Sequence, residues 1–245
     1  MTPNAIVSRA EWITARKAHL ENERALTHQR DALYAERRAL PWVKVDQDYV
    51  FASTTGPKRL ADLFAGRSQL FVYNFMLTPG SDHICPGCSY LSDHVDAARQ
   101  HFEHADLSFA AISRVPLARI EQVRERMGWR FEWVSSEGTS FNFDYGASFT
   151  PEQIAADEPL YNYGTTSGLA PDIHGTSVFA KGDDGQVYHT YSAYARGNEV
   201  LAGAFAFLDM VPKGRNEGGQ TMNWVRLHDE YEDAPDAEPC CASAA

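Results

Sequence analysis

The first forty residues carry large apolar side chains at helical spacing. Four of them recur at multiples of seven: Trp12, Leu26, Leu33 and Leu40. Ser8 is followed three positions later by Glu11, a capping-box pattern that starts helices, and Pro41 is the first proline after the run. The spacing predicts one long amphipathic helix, and therefore a helical arm of residues 1–40. We expect its apolar face to pack on the body of the protein, and a coiled-coil homodimer through this face is the alternative.

Beyond the arm, strand-like and helix-like patterns alternate. The run QLFVYNFML at 69–77 is continuously apolar, which is typical of a strand buried on both faces of a sheet. A helical pattern follows Cys85, and the strand LSFAAIS follows that helix. Pro116 then opens a second helix that ends at Gly128. Two further strand patterns, TSVFAK and QVYHTYSAY, flank an Asp-Gly turn and predict a hairpin, and the apolar run EVLAGAFAFLDMV predicts a closing helix.

This order predicts an α/β domain over residues 41–212. Its sheet would have a parallel part and an antiparallel edge, and helices would flank it. The polar remainder, residues 213–245, predicts a C-terminal extension. From Asp229 to Glu238 it has six acids and no base, which indicates a mobile acidic tail.

The charge and the cysteines narrow the classes of function. The net charge is −11, from 33 acids and 22 bases, so nucleic acid is an unfavourable partner. No apolar stretch reaches the roughly 18 residues that span a bilayer, and the N-terminus lacks the pattern of a signal peptide. We therefore expect a cytoplasmic protein that has no membrane partner. In a reducing cytosol, paired cysteines are more often catalytic or metal-binding than structural.

The motif CPGC at 85–88 lies between the buried strand and the next helix. A thiolate at a helix N-terminus faces unpaired amides, which stabilise the anion. Cys85 is therefore the predicted nucleophile, and Cys88, one turn further, is the predicted resolving thiol. The substrate would be a disulfide-containing protein or a small thiol compound, with a thiol reductant as the second partner and no cofactor. Pro-Gly suits an exposed turn, so two buried structural cysteines are a weaker interpretation.

Several stretches of the chain resemble a known family. They include RALPWVKVDQDYVF, GPKRLADLFAGRSQLFVYNFML, CPGC, GTSVFAKGDDGQVYHTY and VRLHDEY. Together they are similar to the thioredoxin-like superfamily with a peroxiredoxin-style core. More narrowly, they resemble a bacterial thioredoxin-like family of unknown function whose members are described as predicted dithiol-disulfide oxidoreductases. The resemblance implies a thioredoxin-like α/β fold with a central mixed sheet, flanking helices and a long N-terminal helix.

The resemblance also suggests substrate-binding residues and an alternative activity. Gly175, ahead of Thr176, stands where thioredoxins carry the proline that helps to hold substrate. This pair is therefore predicted to contact substrate, but not in the way that the proline does in thioredoxins. Ile84 replaces the tryptophan that precedes the first cysteine in thioredoxins. Peroxiredoxins carry threonine three positions before the reactive cysteine, where this chain has Asp82, and an acid there would raise a thiol pKa. Peroxide reduction at Cys85 is therefore the weaker enzymatic alternative.

Four more residues could assist this chemistry. Arg114 follows the strand LSFAAIS, so it ends at the same sheet edge as the dithiol and could stabilise a thiolate. His83 could donate to that thiolate, or could join the cysteines of CPGC in a copper or zinc site of a non-enzymatic protein. Cys240 and Cys241 on the acidic tail could act as an accessory exchange pair, but adjacent cysteines have poor geometry for zinc.

Overall fold

The fold is known from a computed structural model, which describes residues 4–158 and 160–231. The chain divides into two compact units, of which the first ends at Trp42 and the second begins at Val43. The first unit consists mainly of helix α1, Arg9–Arg38. Its N-cap is Ser8, and both hydrogen bonds of the capping box with Glu11 are present, as the sequence predicts. No residue of α1 is buried. The expected packing of its apolar face and the homodimer stay predictions.

The second unit contains the sheet. Its strands among the described residues are β1 (Val43–Lys44), β2 (Val50–Phe51), β3 (Lys58–Arg59), β4 (Gln69–Asn74), β5 (Leu107–Ser113), β6 (Glu132–Ser135), β7 (Gly175–Lys181) and β8 (Val187–Tyr194). Its helices are α2 (Pro86–Ser92), α3 (Val95–His104), α4 (Leu117–Met127), α5 (Phe141–Asp144), α6 (Pro151–Ala156), α7 (Tyr161–Gly164) and α8 (Gly203–Leu208). In the described part of the chain, 3-10 helices span Leu60–Phe64 and Ala195–Leu201.

Six strands form one mixed sheet in the order β1-β8-β7-β4-β5-β6. β4, β5 and β6 are parallel, β7 is antiparallel to β4, and β8 is antiparallel to β7. β2 and β3 pair separately as a short hairpin. A parallel βαβ unit beside an antiparallel hairpin is the mixed α/β arrangement that the sequence predicts.

Strand β4 lies in the middle of the sheet and is covered on both sides, which explains its continuous apolar run. Leu70 and Val72 face a core that the first 3-10 helix and α5 complete through Phe64 and Phe141. Tyr73 faces the opposite core, which α2, α3 and α4 cover. The two cores place helices on both faces of the sheet and leave the end of β4 directed at α2.

Two predicted helices are shorter than the sequence pattern indicates. The helix after Cys85 is divided into α2 and α3 at Asp93, whose carboxylate accepts hydrogen bonds from Trp129 Nε1 and His228 Nδ1 at 2.8 and 2.7 Å. The predicted closing helix at 199–211 is helical in α8 only and follows a 3-10 helix. At Asp93, contacts with distant parts of the chain override the local period.

Part of the predicted C-terminal extension packs on the second unit. Val225 and Leu227 are buried, and Leu227 belongs to the core that also contains Cys85 and Cys88. Arg126 on α4 pairs with Asp229 and Glu230 at 2.8 and 2.7 Å, just where the acidic tail begins. The packed chain therefore continues beyond residue 212. The predicted accessory pair, Cys240 and Cys241, lies outside the described residues.

Candidate functional site

The CPGC motif lies at the start of α2. Cys85 is the N-cap residue, and its Sγ accepts a hydrogen bond from the Cys88 backbone N–H at 3.3 Å. Pro86 occupies the first turn, where its missing N–H removes no helical hydrogen bond. The Cys85 sulfur thus caps the helix as a serine hydroxyl would, and Cys88 follows one turn later. This is the geometry that the sequence predicts for the pair.

Both cysteines are buried, whereas the Pro-Gly turn of the motif predicts that they are exposed. Cys85 is 2% exposed and Cys88 is 1% exposed. They form part of an apolar core with Leu77 and Leu91. The turn does not bring the sulfurs to the surface because the C-terminal segment packs over them.

Met222 of that segment lies beside the Gly87 position of the motif. A Cβ atom placed on Gly87 would lie 3.3 Å from Met222 Cε and 3.9 Å from Cys85 Sγ, so the missing side chain of Gly87 leaves room for the methionine. Met222 has a left-handed backbone with φ of 60°, and its N–H donates to Glu217 Oε1 at 2.7 Å. Because Cys85 is 2% exposed, a substrate larger than a few atoms can reach its sulfur only if part of the surrounding chain moves.

Tyr73 lies beside the dithiol and is not among the residues that the sequence pattern singles out. It is 1% exposed and shares the core that contains both cysteines. Burial raises the pKa of Tyr73 well above its ordinary value, and the nearby Cys88 and Cys85 add to this shift, including through a hydrogen bond with Cys88. The phenol therefore stays protonated and can donate to a Cys88 thiolate. Tyr73 carries the one hydroxyl of QLFVYNFML, and that hydroxyl was the signal that could have identified it.

The predicted substrate-binding pair is at the start of β7. Gly175 is paired with Asn74, and Thr176 is paired with Tyr73, which puts Thr176 on the sheet face that carries the dithiol. A Cβ on Gly175 would lie only 2.8 Å from Cδ1 of Tyr194, so ring packing accounts for this glycine. The Thr176 hydroxyl is engaged with Asn198 Oδ1 at 2.7 Å. Contact of the pair with substrate stays a prediction.

Arg114 makes a bidentate ion pair at the end of β5. Its Nε and Nη2 donate to the two carboxylate oxygens of Asp172 at 2.6 and 2.9 Å, and its guanidinium lies 4.8 Å from the ring centroid of Phe143. Asp172 also accepts from the Ser148 hydroxyl at 2.7 Å. This ion pair compensates the positive charge of Arg114. Stabilisation of a thiolate by Arg114 stays a prediction.

The loop before the dithiol carries His83, which is the remaining candidate, and Asp82. His83 is exposed, and its backbone N–H donates to Ser81 Oγ at 3.2 Å. Asp82 is also exposed, and its carbonyl accepts from Arg119 of α4 at 2.8 Å, which ties the loop to that helix. Within residues 4–158 and 160–231, no three His, Cys, Asp or Glu side chains are grouped so that they could hold a metal ion. The predicted site of His83 with the two cysteines is therefore not assembled in this structure.

Comparison with known proteins identifies the family. The model of a bacterial family of proteins of unknown function, DUF899, matches residues 1–231. No curated protein matches the chain. No helix in the described part of the chain is both long and apolar enough to cross a membrane.

Solved structures similar to this chain include three at low identity. The peroxidoxin BcpB of Mycobacterium tuberculosis is 16% identical, with 67% of this chain and 93% of that chain covered and a TM-score of 0.45. Peroxiredoxin Q of Xanthomonas campestris is 17% identical, with 69% and 98% covered and a TM-score of 0.42. A candidate protein disulfide isomerase of Bacteroides thetaiotaomicron is 13% identical, with 73% and 98% covered and a TM-score of 0.39.

Proposed function

We propose that this chain, which belongs to the bacterial family DUF899, is a thiol–disulfide oxidoreductase in which Cys85 is the nucleophile and Cys88 the resolving thiol. One observation carries the proposal: the Cys85 sulfur caps α2 and accepts the Cys88 N–H at 3.3 Å. A helix N-terminus favours the thiolate over the thiol, and the thiolate is the form that attacks disulfides. The proposal includes a cytoplasmic location, where the thiol pool would return the pair to the dithiol state.

The reaction would proceed in two exchange steps. The Cys85 thiolate attacks one sulfur of the substrate disulfide, a mixed disulfide forms, and the other substrate sulfur leaves as a thiolate that takes up a proton. The Cys88 thiolate then attacks Cys85 Sγ and expels the second substrate thiol. Two electrons pass to the substrate and a Cys85–Cys88 disulfide remains, which an external thiol reductant reduces. Tyr73 supports the second step, because its protonated hydroxyl stabilises the Cys88 thiolate by a hydrogen bond.

Peroxide reduction at Cys85 is a second candidate, and the burial of the sulfur favours it. Cys85 is 2% exposed, so a hydroperoxide could reach it with a smaller movement of Met222 than a protein disulfide would need. The Cys85 thiolate would attack the terminal peroxide oxygen, break the O–O bond and release an alcohol or water. Cys88 would then attack the sulfenic acid and release water as the disulfide forms.

Trapping of the intermediate tests the assignment. The variant Cys88→Ser should retain one glutathione on Cys85 after exposure to oxidised glutathione, because no thiol remains to resolve the mixed disulfide. The matched variant Cys85→Ser should retain none, and intact-mass spectrometry with peptide mapping distinguishes the two. Both variants should also carry Cys240→Ser and Cys241→Ser, so that only the CPGC thiols react. Equal adducts on both variants would overturn the roles.

The same Cys88→Ser variant separates the two candidate functions. If Cys85 becomes a sulfenic acid within seconds of exposure to micromolar peroxide, as a dimedone adduct would show, and no mixed disulfide forms, peroxide reduction is the function. Slow oxidation together with stable glutathione adducts supports disulfide exchange. Wild-type protein is the control in both assays, since it should form the internal disulfide instead of an adduct.

The tail cysteines stay in the proposal as an accessory exchange pair. The acidic composition of the tail opposes tight docking on a protein of net charge −11, so we expect it to assist turnover without being required. Deletion of residues 234–245 should therefore lower turnover of a small disulfide substrate only in part. Unchanged turnover would show that the tail is inert, and complete loss would show that the tail, instead of Cys88, supplies the resolving thiol.

A further inference from the structure

A cavity lies on the sheet face opposite the dithiol. Its lining includes His189, which is paired with Phe179, and Phe179 is paired with Leu70. Leu70 is three positions from Tyr73 on β4 and therefore points to the other face. The cavity has a volume of about 410 Å³, which is within the range of small-molecule sites. The proposed thiol chemistry uses none of its lining residues.

Four of its lining residues are tyrosines: Tyr49, Tyr145, Tyr163 and Tyr194. The centroids of Tyr49 and Tyr145 are 6.1 Å apart, and those of Tyr163 and Tyr194 are 5.4 Å apart with their planes at 77°. Three of the hydroxyls donate hydrogen bonds to protein oxygens. Tyr49 donates to the Asp144 carboxylate at 2.8 Å, Tyr163 to the Ser192 carbonyl at 2.9 Å and Tyr194 to the Tyr145 carbonyl at 2.7 Å. These three hydroxyls are engaged within the protein, so the rings, not the hydroxyl groups, are what the tyrosines have to offer a ligand.

The charged groups of the lining leave the cavity with a negative character. Asp144 is exposed, and both of its hydrogen-bond donors, the hydroxyls of Tyr49 and Ser140, are neutral. Lys44 is the cation of the lining, but its Nζ lies 2.7 Å from Asp46 Oδ1, and Asp46 does not line the cavity. Burial lowers the pKa of His189, so that imidazole is neutral near pH 7.

The edge of the cavity has an unusual backbone. Asn162 and Tyr163 are consecutive residues with left-handed conformations, at φ of 51° and 60°. A bulky side chain rarely adopts this conformation, and such conformations are concentrated at ligand clamps and active sites. The strained backbone holds the Tyr163 ring, itself 72% exposed, against Tyr194 at the edge of the cavity.

We propose that this tyrosine-lined cavity binds a small organic cation of the substituted-ammonium class. Aromatic faces attract cations through their quadrupole, and cages of aromatic rings are a common way to bind quaternary ammonium groups. The uncompensated carboxylate of Asp144 also attracts a cation, at longer range than the rings do. An anionic ligand would meet both Asp144 and the negative faces of the rings.

Binding of choline to the full-length protein, measured by ligand-observed NMR or calorimetry, tests the proposal. We expect binding in the millimolar range or tighter, and at least about tenfold weaker binding of 3,3-dimethylbutan-1-ol, which has nearly the same shape but no charge. The substitution Tyr163→Phe keeps the ring and should leave the affinity within about twofold. Tyr163→Leu keeps the apolar volume but removes the π face, and should weaken binding about tenfold.

A matched control and three results make the test decisive. Phe207→Leu removes an aromatic ring that is 77% exposed and does not line the cavity, so choline affinity should not change. No binding of choline at 50 mM would overturn the proposal, as would equal affinity for the neutral alcohol or unchanged affinity in Tyr163→Leu. Alkylation of Cys85 should proceed at the same rate in Tyr163→Leu as in wild type, so failure of this proposal is separate from failure of the thiol chemistry.

Discussion

If Met222 controls access to the dithiol, its truncation should speed the reaction of Cys85 with small electrophiles. The substitution Met222→Ala removes the half-buried side chain that lies against Gly87. Truncation of a fully buried methionine costs about 2–5 kcal/mol, and a half-buried one should cost about 1–2 kcal/mol. If opening of the C-terminal segment precedes alkylation, that loss raises the population of the open form roughly 5- to 30-fold.

The assay is alkylation by iodoacetamide near neutral pH, followed by intact-mass spectrometry and peptide mapping of Cys85. The control is Met210→Ala, the same substitution at a methionine that is 87% exposed, which should leave the rate unchanged. Thermal unfolding of both variants separates local opening from global destabilisation. A rate within twofold of wild type in Met222→Ala would refute the view that this segment limits access.

Three further substitutions test the surroundings of the site. Tyr73→Phe removes the hydroxyl that hydrogen-bonds with Cys88, so release of the second substrate thiol should slow by roughly tenfold while formation of the mixed disulfide is unchanged. Stopped-flow thiol detection measures both steps, and equal slowing of the two would contradict the assignment. Burial lowers the pKa of His174 to about 4, whereas the pKa of the unfolded chain's histidine is about 6.5. The unfolded chain therefore binds more protons between these two pH values, and the free energy of unfolding should fall as pH drops from about 6.5 to 4. His174→Gln should flatten this part of the pH profile measured by urea unfolding, and an unchanged slope would contradict the prediction. Asp172→Asn breaks the bidentate ion pair with Arg114 and should lower the free energy of unfolding, measured by urea titration, by about 3 kcal/mol. A loss under about 0.5 kcal/mol would show that the ion pair contributes little to stability.

The sequence by itself determined those parts of the protein that depend on near neighbours in the chain. The capping box of Ser8 and Glu11 and the helix that follows are local, since each hydrogen bond joins residues three or four positions apart. The continuous apolar run of β4 predicts a buried strand directly from the sequence. The Asp-Gly pair between β7 and β8 predicts their hairpin turn in the same way. The position of Cys85 at the start of α2 follows from the same kind of signal.

Tertiary structure decided what surrounds these elements. The apolar side chain beside Gly87 of the motif is Met222, which lies far along the chain, and no periodicity relates the two. Arg114 is bound to Asp172, 58 positions away, so its charge serves an ion pair that sequence reasoning could not assign. Gly175 is a glycine because of the Tyr194 ring beside it.

The physical reason is that these contacts depend on which faces of the sheet meet which segments. Alternation along β4 predicts that Leu70 and Tyr73 point to opposite faces, but it does not state which segment covers each one. That choice comes from the packing of all the apolar surfaces at once, in which Leu227 completes the core around Cys85 and Cys88. The chain pattern thus determined that a dithiol would cap a helix, and long-range packing determined that it would be buried beneath the C-terminal segment and beside a tyrosine.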